Sequence, residues 1–313
     1  MKDKLIVSVS PHLHKDESVS KIMWMVIISL LPAGAAGVFI FGITALWVII
    51  LGVVSALATE AILQVLSKRK VTILDGSAVI TGLLLAYNLP PKVPFWLPIV
   101  GAFFSIAIGK QVFGGLGQNI FNPALVGRVF LMASWPKYMT TFTKPLNYDA
   151  ITSATPLALL KEGRVLENIS YLDLFLGKRG GCIGEVCILA LLLGALFLFI
   201  KGYISWHIPL PYILTVGVFT YIFSQKGLFS GDWLFHILSG GLILGAFFMA
   251  TDYVTSPLTR KGQVIFGIGC GVITAVIRLW GGYPEGVSYA ILMMNAATPI
   301  IDRYTKTRVY GNK

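Results

Sequence analysis

Charge is scarce in this sequence. Only 12% of its 313 residues are Asp, Glu, Lys or Arg, about half the ~25% of an ordinary soluble domain. So few charges cannot clothe a water-facing surface of this size. A soluble enzyme, a disordered chain and a nucleic-acid binder are therefore excluded, despite a net charge of +11. Cysteine is scarce as well. Cys182, Cys187 and Cys270 form no CxxC pair, so no zinc site or self-contained iron–sulfur site is legible, and no metal ligands are assigned. Hydrophobic residues make up 56% of the chain and mean hydropathy is +0.78. The solvent for most of the chain is a bilayer, and its length suggests two units.

A spanning helix needs roughly 17–25 mostly apolar residues. Ten segments qualify, at 22–41, 43–66, 77–90, 94–113, 119–135, 184–203, 207–225, 232–253, 262–281 and 286–301. The third, fifth and tenth are short enough to be half-spans or tilted. The first, IMWMVIISLLPAGAAGVFIF, is no cleaved signal peptide: no small-residue cleavage site follows a short apolar core. An even count puts both termini on one side. That side carries fifteen Lys and Arg, among them Lys68-Arg69-Lys70 and Lys110, against eight on the other. The bias places both termini in the cytoplasm and the 136–183 loop outside. The +11 is read as this topology rather than as a surface for an acidic partner.

The halves share an order of features. Residues 101–124 read GAFFSIAIGKQVFGGLGQNIFNPA, and 267–297 read GIGCGVITAVIRLWGGYPEGVSYAILMMNAA, followed by Thr298-Pro299. Each has an apolar span, an aromatic residue with a double glycine, a polar stretch, and an asparagine near a small residue and a proline. Five spans per half is odd, so the halves would be inverted. The expected fold is an all-α polytopic membrane protein: a five-helix repeat over 1–135, an outer loop over 136–183 and a second repeat over 184–313. Inverted repeats place ligand sites at their interface, at broken helices. The Gly-Gly interruptions read equally well as broken helices or as surface turns. Asn119 and Asn122, amides at the head of a span, are expected to face a ligand, since unpaired amides in hydrocarbon are costly.

The longest polar stretch holds Asp149-Ala150-Ile151-Thr152-Ser153-Ala154-Thr155-Pro156-Leu157. Its hydroxyls stand beside a carboxylate and before a proline that fixes an extended turn. No histidine lies nearby to form a triad, so self-contained hydrolysis is not expected. A hydroxyl can also accept a group transferred by another enzyme. Here the string D-x-x-T-S-A-T resembles the site at which a flavin transferase attaches FMN to threonine in the D subunit of the Rnf ferredoxin:NAD oxidoreductase and the B subunit of the sodium-pumping NADH:quinone reductase. Three further stretches resemble the Rnf D subunit: SPHLHKDESVSKIMW (10–24), GLLLAYNLPPKVPFW (82–96) and GKQVFGGLGQNIFNPALVGR (109–128). The length fits the Rnf member better.

The resemblance implies FMN in phosphodiester linkage to Thr155, with Asp149 as the acidic residue opening the motif. Ser153 stands where the family more often has glycine. It implies electron transfer coupled to Na+ or H+ movement, and a second, non-covalent flavin (riboflavin) is entertained. Implied partners are the other subunits of the membrane complex, among them a second FMN subunit and iron–sulfur subunits, together with the flavin transferase and membrane lipids. No ferredoxin- or NAD-binding element is present, so those substrates would dock elsewhere.

Charges inside apolar spans are candidates for the transfer path. Glu60 and Arg128 lie nearer span centres, and Arg128, one turn beyond Asn122-Pro123, could face a flavin phosphate or ring. Asp232, Asp252 and Arg278 read better as snorkelling to headgroups, and His207 and His236 as interfacial. His12 and His14 are two imidazoles without further ligands and do not close a metal site. A Cys182–Cys187 disulfide would need an oxidising face; free thiols are expected. An inverted-repeat solute channel of the urea/ammonium-channel-like type is the alternative from another class. It needs no flavin, so the Asp149–Thr155 motif separates the two.

Overall fold

The computed structural model describes residues 17–143, 145, 152–153, 155–162, 170–224 and 227–306. His12, His14 and Asp149 lie outside them.

Among the described residues the chain forms α1 (Val19–Phe41), α2 (Ile43–Leu66), α3 (Ser77–Tyr87), α4 (Trp96–Ile106), α5 (Pro123–Ser134), α6 (Pro136–Thr140), α7 (Pro156–Lys161), α8 (Tyr171–Leu176), α9 (Ile188–Ile200), α10 (Pro209–Ile222), α11 (Trp233–Leu238), α12 (Leu242–Leu244), α13 (Arg260–Trp280) and α14 (Val287–Tyr304). Two-residue ribbons join Phe142–Thr143 to Thr152–Ser153 and Phe223–Ser224 to Gly227–Leu228, both antiparallel.

Each of the ten expected segments holds a helix, but they are not ten full spans. Among the described residues three helices, α1, α2 and α13, are long and apolar enough to cross a bilayer. At ~1.5 Å per residue they match a hydrocarbon core of ~30 Å. Helices α3, α5, α9 and α10 are shorter and apolar, and α4 continues through a π-helical turn at Ala107–Gln111. The 232–253 segment is broken into α11, α12 and a second π-helical turn at Gly245–Met249. The break falls at Ser239–Gly241, where Gly240 takes φ +70°, a conformation open to glycine and strained for other residues. Lipid-facing positions stay apolar, with Phe39 81% and Ile200 76% exposed.

Side-chain size sets how closely helices approach. A Cβ on Gly82 of α3 would stand 2.6 Å from the carbonyl oxygen of Gly52 in α2, and one on Gly194 of α9 would stand closer still to that of Ser29 in α1. Backbones touch at both places, which is packing without reliance on hydrophobic exclusion. Helix α2 packs on α3 and α4, and α4 on α5; α10 packs on α11 and α13, and α13 on α14. Between these groups α1 meets α9, and α5 meets α14. One apolar core containing Leu30, Leu85, Leu191, Leu244, Phe266 and Ile291 runs across that boundary.

Candidate functional site

Three polar places interrupt the apolar interior. The first is the loop segment at the head of α7. Phe142 pairs with Ser153 and Thr143 with Thr152, delivering the chain to Thr155. Thr155 is extended (φ −65°, ψ 153°), and Pro156 opens α7 with its φ already helical. The Thr155 Oγ1 accepts the Ala158 N–H at 3.2 Å, an N-cap, and the residue is only 4% exposed. Leu157 packs with Leu174 of α8 and Phe235 of α11. At the other end of α7, Lys161 Nζ donates to the Tyr283 carbonyl at 2.7 Å and the Ile277 carbonyl at 3.3 Å. Partial burial lowers the Lys161 pKa from its ordinary value. The short helix is thereby tied to the α13–α14 connection.

The second place is a buried charge cluster below this segment. Arg128 of α5 donates to Asn88 Oδ1 at the end of α3 and pairs with Glu285 at 2.6 Å. Glu185, two residues ahead of the α9 cap, accepts the Cys182 N–H at 3.0 Å, and its carbonyl accepts from Arg179 at 3.3 Å. Backbone bonds from Ile183 and Gly184 to Leu89 and Tyr87 dock that segment on the end of α3. Arg278 of α13 donates to the carbonyls of His236 and Ser239. A Cβ on Gly240 would lie 2.8 Å from Leu157 Cδ1, 3.1 Å from Arg278 and 3.6 Å from Glu285 Cγ; one on Gly241 would lie 2.8 Å from Glu185 Oε2. The broken helix thus admits these side chains because it carries none of its own here. Arg128 Nε, Arg179 Nη1, Arg278 Nε, Glu185 Oε2, Glu285 Oε1, His236 Nδ1 and Ser239 Oγ are buried without a partner among the described residues. Each such atom costs about 1–3 kcal/mol unless something meets it.

The third place is a cavity between the two groups of helices. Its volume is about 100 Å³. Val26, Leu84 and Phe247 line it, and its polar wall includes Ser77, Lys110, Asn119, Asn122 and Asp252. Asn122 caps α5 by accepting from Ala124 and Leu125, and donates to the Met249 carbonyl at 3.2 Å. Its own N–H donates to Asn295 Oδ1 at 3.2 Å. Asn119 donates to the Phe121 carbonyl at 3.1 Å. Beside the cavity Lys110 Nζ meets both Glu60 oxygens at 2.7 and 2.8 Å and Ser77 Oγ at 2.6 Å. Gln64 and Gln111 each donate to Glu60 Oε1 at 3.1 Å, completing the carboxylate's partners.

The expected site residues therefore separate. Asn119 and Asn122 share the cavity wall, Arg128 belongs to the charge cluster, and Thr155 lies two residues from Leu157, which meets that cluster at Gly240. Several expectations are corrected. Lys110, read as a surface charge, is buried and paired, because the π-helical turn aims it at Glu60. Arg278, read as snorkelling, is 4% exposed and His236, read as interfacial, is 6% exposed; carbonyls freed by the broken helix hold Arg278 inside. Asp232 caps α11 and accepts from Tyr171 at 2.7 Å. Asp252 accepts from Thr255 at 3.1 Å on the cavity wall. All three cysteines are free thiols. Sequence reasoning missed Glu185, Glu285, Arg179 and Asn88. The available signal was that every lone charge in an oily chain needs a partner.

The family model described as NQR2, RnfD, RnfE matches residues 6–311. The chain belongs to this family. It is 54% identical over 309 residues to the D subunit of the Na(+)-translocating ferredoxin:NAD(+) oxidoreductase complex of Acetobacterium woodii, covering 98% of this chain and 95% of the relative. It is 51% identical over 323 residues to the D subunit of the proton-translocating ferredoxin:NAD(+) oxidoreductase complex of Clostridium ljungdahlii, covering 100% and 98%. Identity to the D subunit of the ion-translocating oxidoreductase complex of Stutzerimonas stutzeri is 42%, covering 94% and 92%. Family membership favours the redox-subunit expectation over the solute channel.

Proposed function

We propose that the chain is the membrane flavoprotein (D) subunit of an ion-translocating ferredoxin:NAD+ oxidoreductase complex, carrying FMN on Thr155. The observation that carries the reading is Thr155 itself, the last residue of the Asp149–Thr155 motif and the cap of α7. Its hydroxyl donates to no described residue, and its oxygen already serves as an acceptor. An ester oxygen keeps its lone pairs, so substitution there is compatible with the Ala158 bond. The residues present fit the group on that count. Bound FMN would supply one- and two-electron transfer. The chain's own part is to fix the group through α7, which Pro156, Leu157 and Lys161 anchor, and to exclude water at Thr155.

The cavity lined by Asn119 and Asn122 is proposed for the second, non-covalent flavin. Its mostly apolar lining with a few convergent polar groups is of the kind small-molecule pockets have. Inverted repeats over 1–135 and 184–313, flanking the 136–183 loop, are supported by two features. The α2–α3, α2–α4 and α4–α5 contacts have counterparts in α10–α11, α10–α13 and α13–α14, and Asn122 meets Asn295, the corresponding asparagine. Both termini are placed in the cytoplasm with the loop outside. Coupling to ion movement follows the relatives' names. The relatives from Acetobacterium woodii and Clostridium ljungdahlii differ in the ion, so overall identity does not choose between Na+ and H+.

The test is co-expression with a flavin transferase, a denaturing gel and ultraviolet illumination. A fluorescent band is expected for the wild type and for Thr152→Ala, and none for Thr155→Ala. A dark wild-type band, or fluorescence surviving Thr155→Ala, overturns the attachment.

A further inference from the structure

Beyond the covalent bond, something must balance the charge under α7. Arg128, Arg179 and Arg278 bring three guanidinium groups into the cluster; Glu185 and Glu285 bring two carboxylates. Counting both carboxylates as ionised and His236 as neutral, one positive charge is left over in the cluster, with Lys161 outside it on backbone carbonyls. Each arginine also has a buried nitrogen without a partner among the described residues. A guanidinium does not deprotonate inside a protein, so this charge cannot be shed by titration. A buried charge persists only when an opposite charge or a set of hydrogen bonds meets it.

The excess lies next to the attachment segment. Leu157, two residues beyond Thr155, closes on the same spot at Gly240 as Arg278 and Glu285. Lys161, one turn further along α7, is bonded to the carbonyl of Ile277, the residue before Arg278, and to that of Tyr283, two residues before Glu285. Any acyclic phosphodiester carries one negative charge at neutral pH.

We propose that the Arg128–Arg179–Arg278 cluster is the counter-charge of a phosphodiester monoanion on Thr155, with Arg278 its positioning residue on the α7 side. This rests on the attachment proposed above. Glu285 pairs with Arg128 and Glu185 adds a second negative charge beside Gly241, and the monoanion brings the cluster to neutrality. Gly240 keeps the space between Leu157 and Arg278 clear, since a Cβ there would lie within 3.1 Å of both.

The test is a thermal-melt cycle on the full chain in detergent, produced with and without the flavin transferase, with gel fluorescence reporting attachment in every sample. Attachment is expected to raise the wild-type melting midpoint by ~3 °C or more. In Arg278→Gln the cluster is already neutral without the anion, so attachment is expected to give no rise or a fall, with the band still fluorescent. Arg179→Gln removes the same charge from another segment and is expected to behave alike, which covers a failure of Arg278→Gln to fold. Equal rises in wild type and both variants overturn the counter-charge while leaving the attachment standing. A dark wild-type band overturns both.

Discussion

At the level of single residues, the interior is governed by the cost of leaving a charge alone. Glu60 and Lys110 are 1% and 2% exposed at their side chains. Removing one partner strands the other, a change worth about 3–5 kcal/mol, whereas removing both with apolar replacements is often nearly neutral. Lys110→Met is therefore expected to lower thermal stability in detergent sharply, and Glu60→Leu with Lys110→Met to recover most of the loss. Additive losses in the double variant would show that the pair is not a unit. Thr155 carries a smaller load. Its cap is worth about 1 kcal/mol, so Thr155→Ala should melt slightly lower and Thr155→Ser should match the wild type when both are made without the transferase. The expectation for Thr155 rests on seven consecutive residues. The charge cluster was not legible: its members come from five separated stretches, and one sequence does not reveal which of them meet. Lys110 was misplaced because the positive-inside rule treats each lysine as a vote on sidedness, and its counter-ion is 50 positions away.

At the level of helices, hydropathy located the apolar segments well and their continuity poorly. Chain composition does not distinguish a full span from two short helices with a break, and Gly240-Gly241 read as small residues that allow close helix packing. What decided the matter was the company of the break: Arg278 takes its carbonyls and Glu185 fills the side of Gly241. Packing contacts between helices are equally specific. Gly194 lies against the backbone of α1, so Gly194→Leu must push α9 away from α1. Overpacking of this kind costs about 1–3 kcal/mol or more. The variant is expected to show a reduced folded fraction on detergent size-exclusion chromatography. Leu193→Ala, at a position 55% exposed on the same helix, is expected to elute as the wild type.

At the level of the whole molecule, sidedness organises the proposal. If the 136–183 loop is external, the attachment site and the Lys68-Arg69-Lys70 turn face opposite compartments. Alkaline phosphatase fused within the loop is expected to be active, and a fusion after Lys313 inactive; the reverse pattern would invert the topology and the electron path. The apolar core that crosses between α1 and α9 makes the halves one folding unit, so the 184–313 half expressed alone is expected not to yield a stable, monodisperse product in detergent.

The burial of Thr155 also orders events in time. A threonine that is 4% exposed is closed to the active site of the transferase that the proposed attachment needs. For the transferase to reach it, α7 must be away from α8 and α11, either during biogenesis, before the segment seats, or through a later opening that breaks the Leu157 and Lys161 contacts. Seating then acts as a latch: a chain that matures unmodified hides its own acceptor. Under the proposed attachment, the supply of transferase during synthesis, rather than afterwards, would set what fraction of chains in the membrane carries the group.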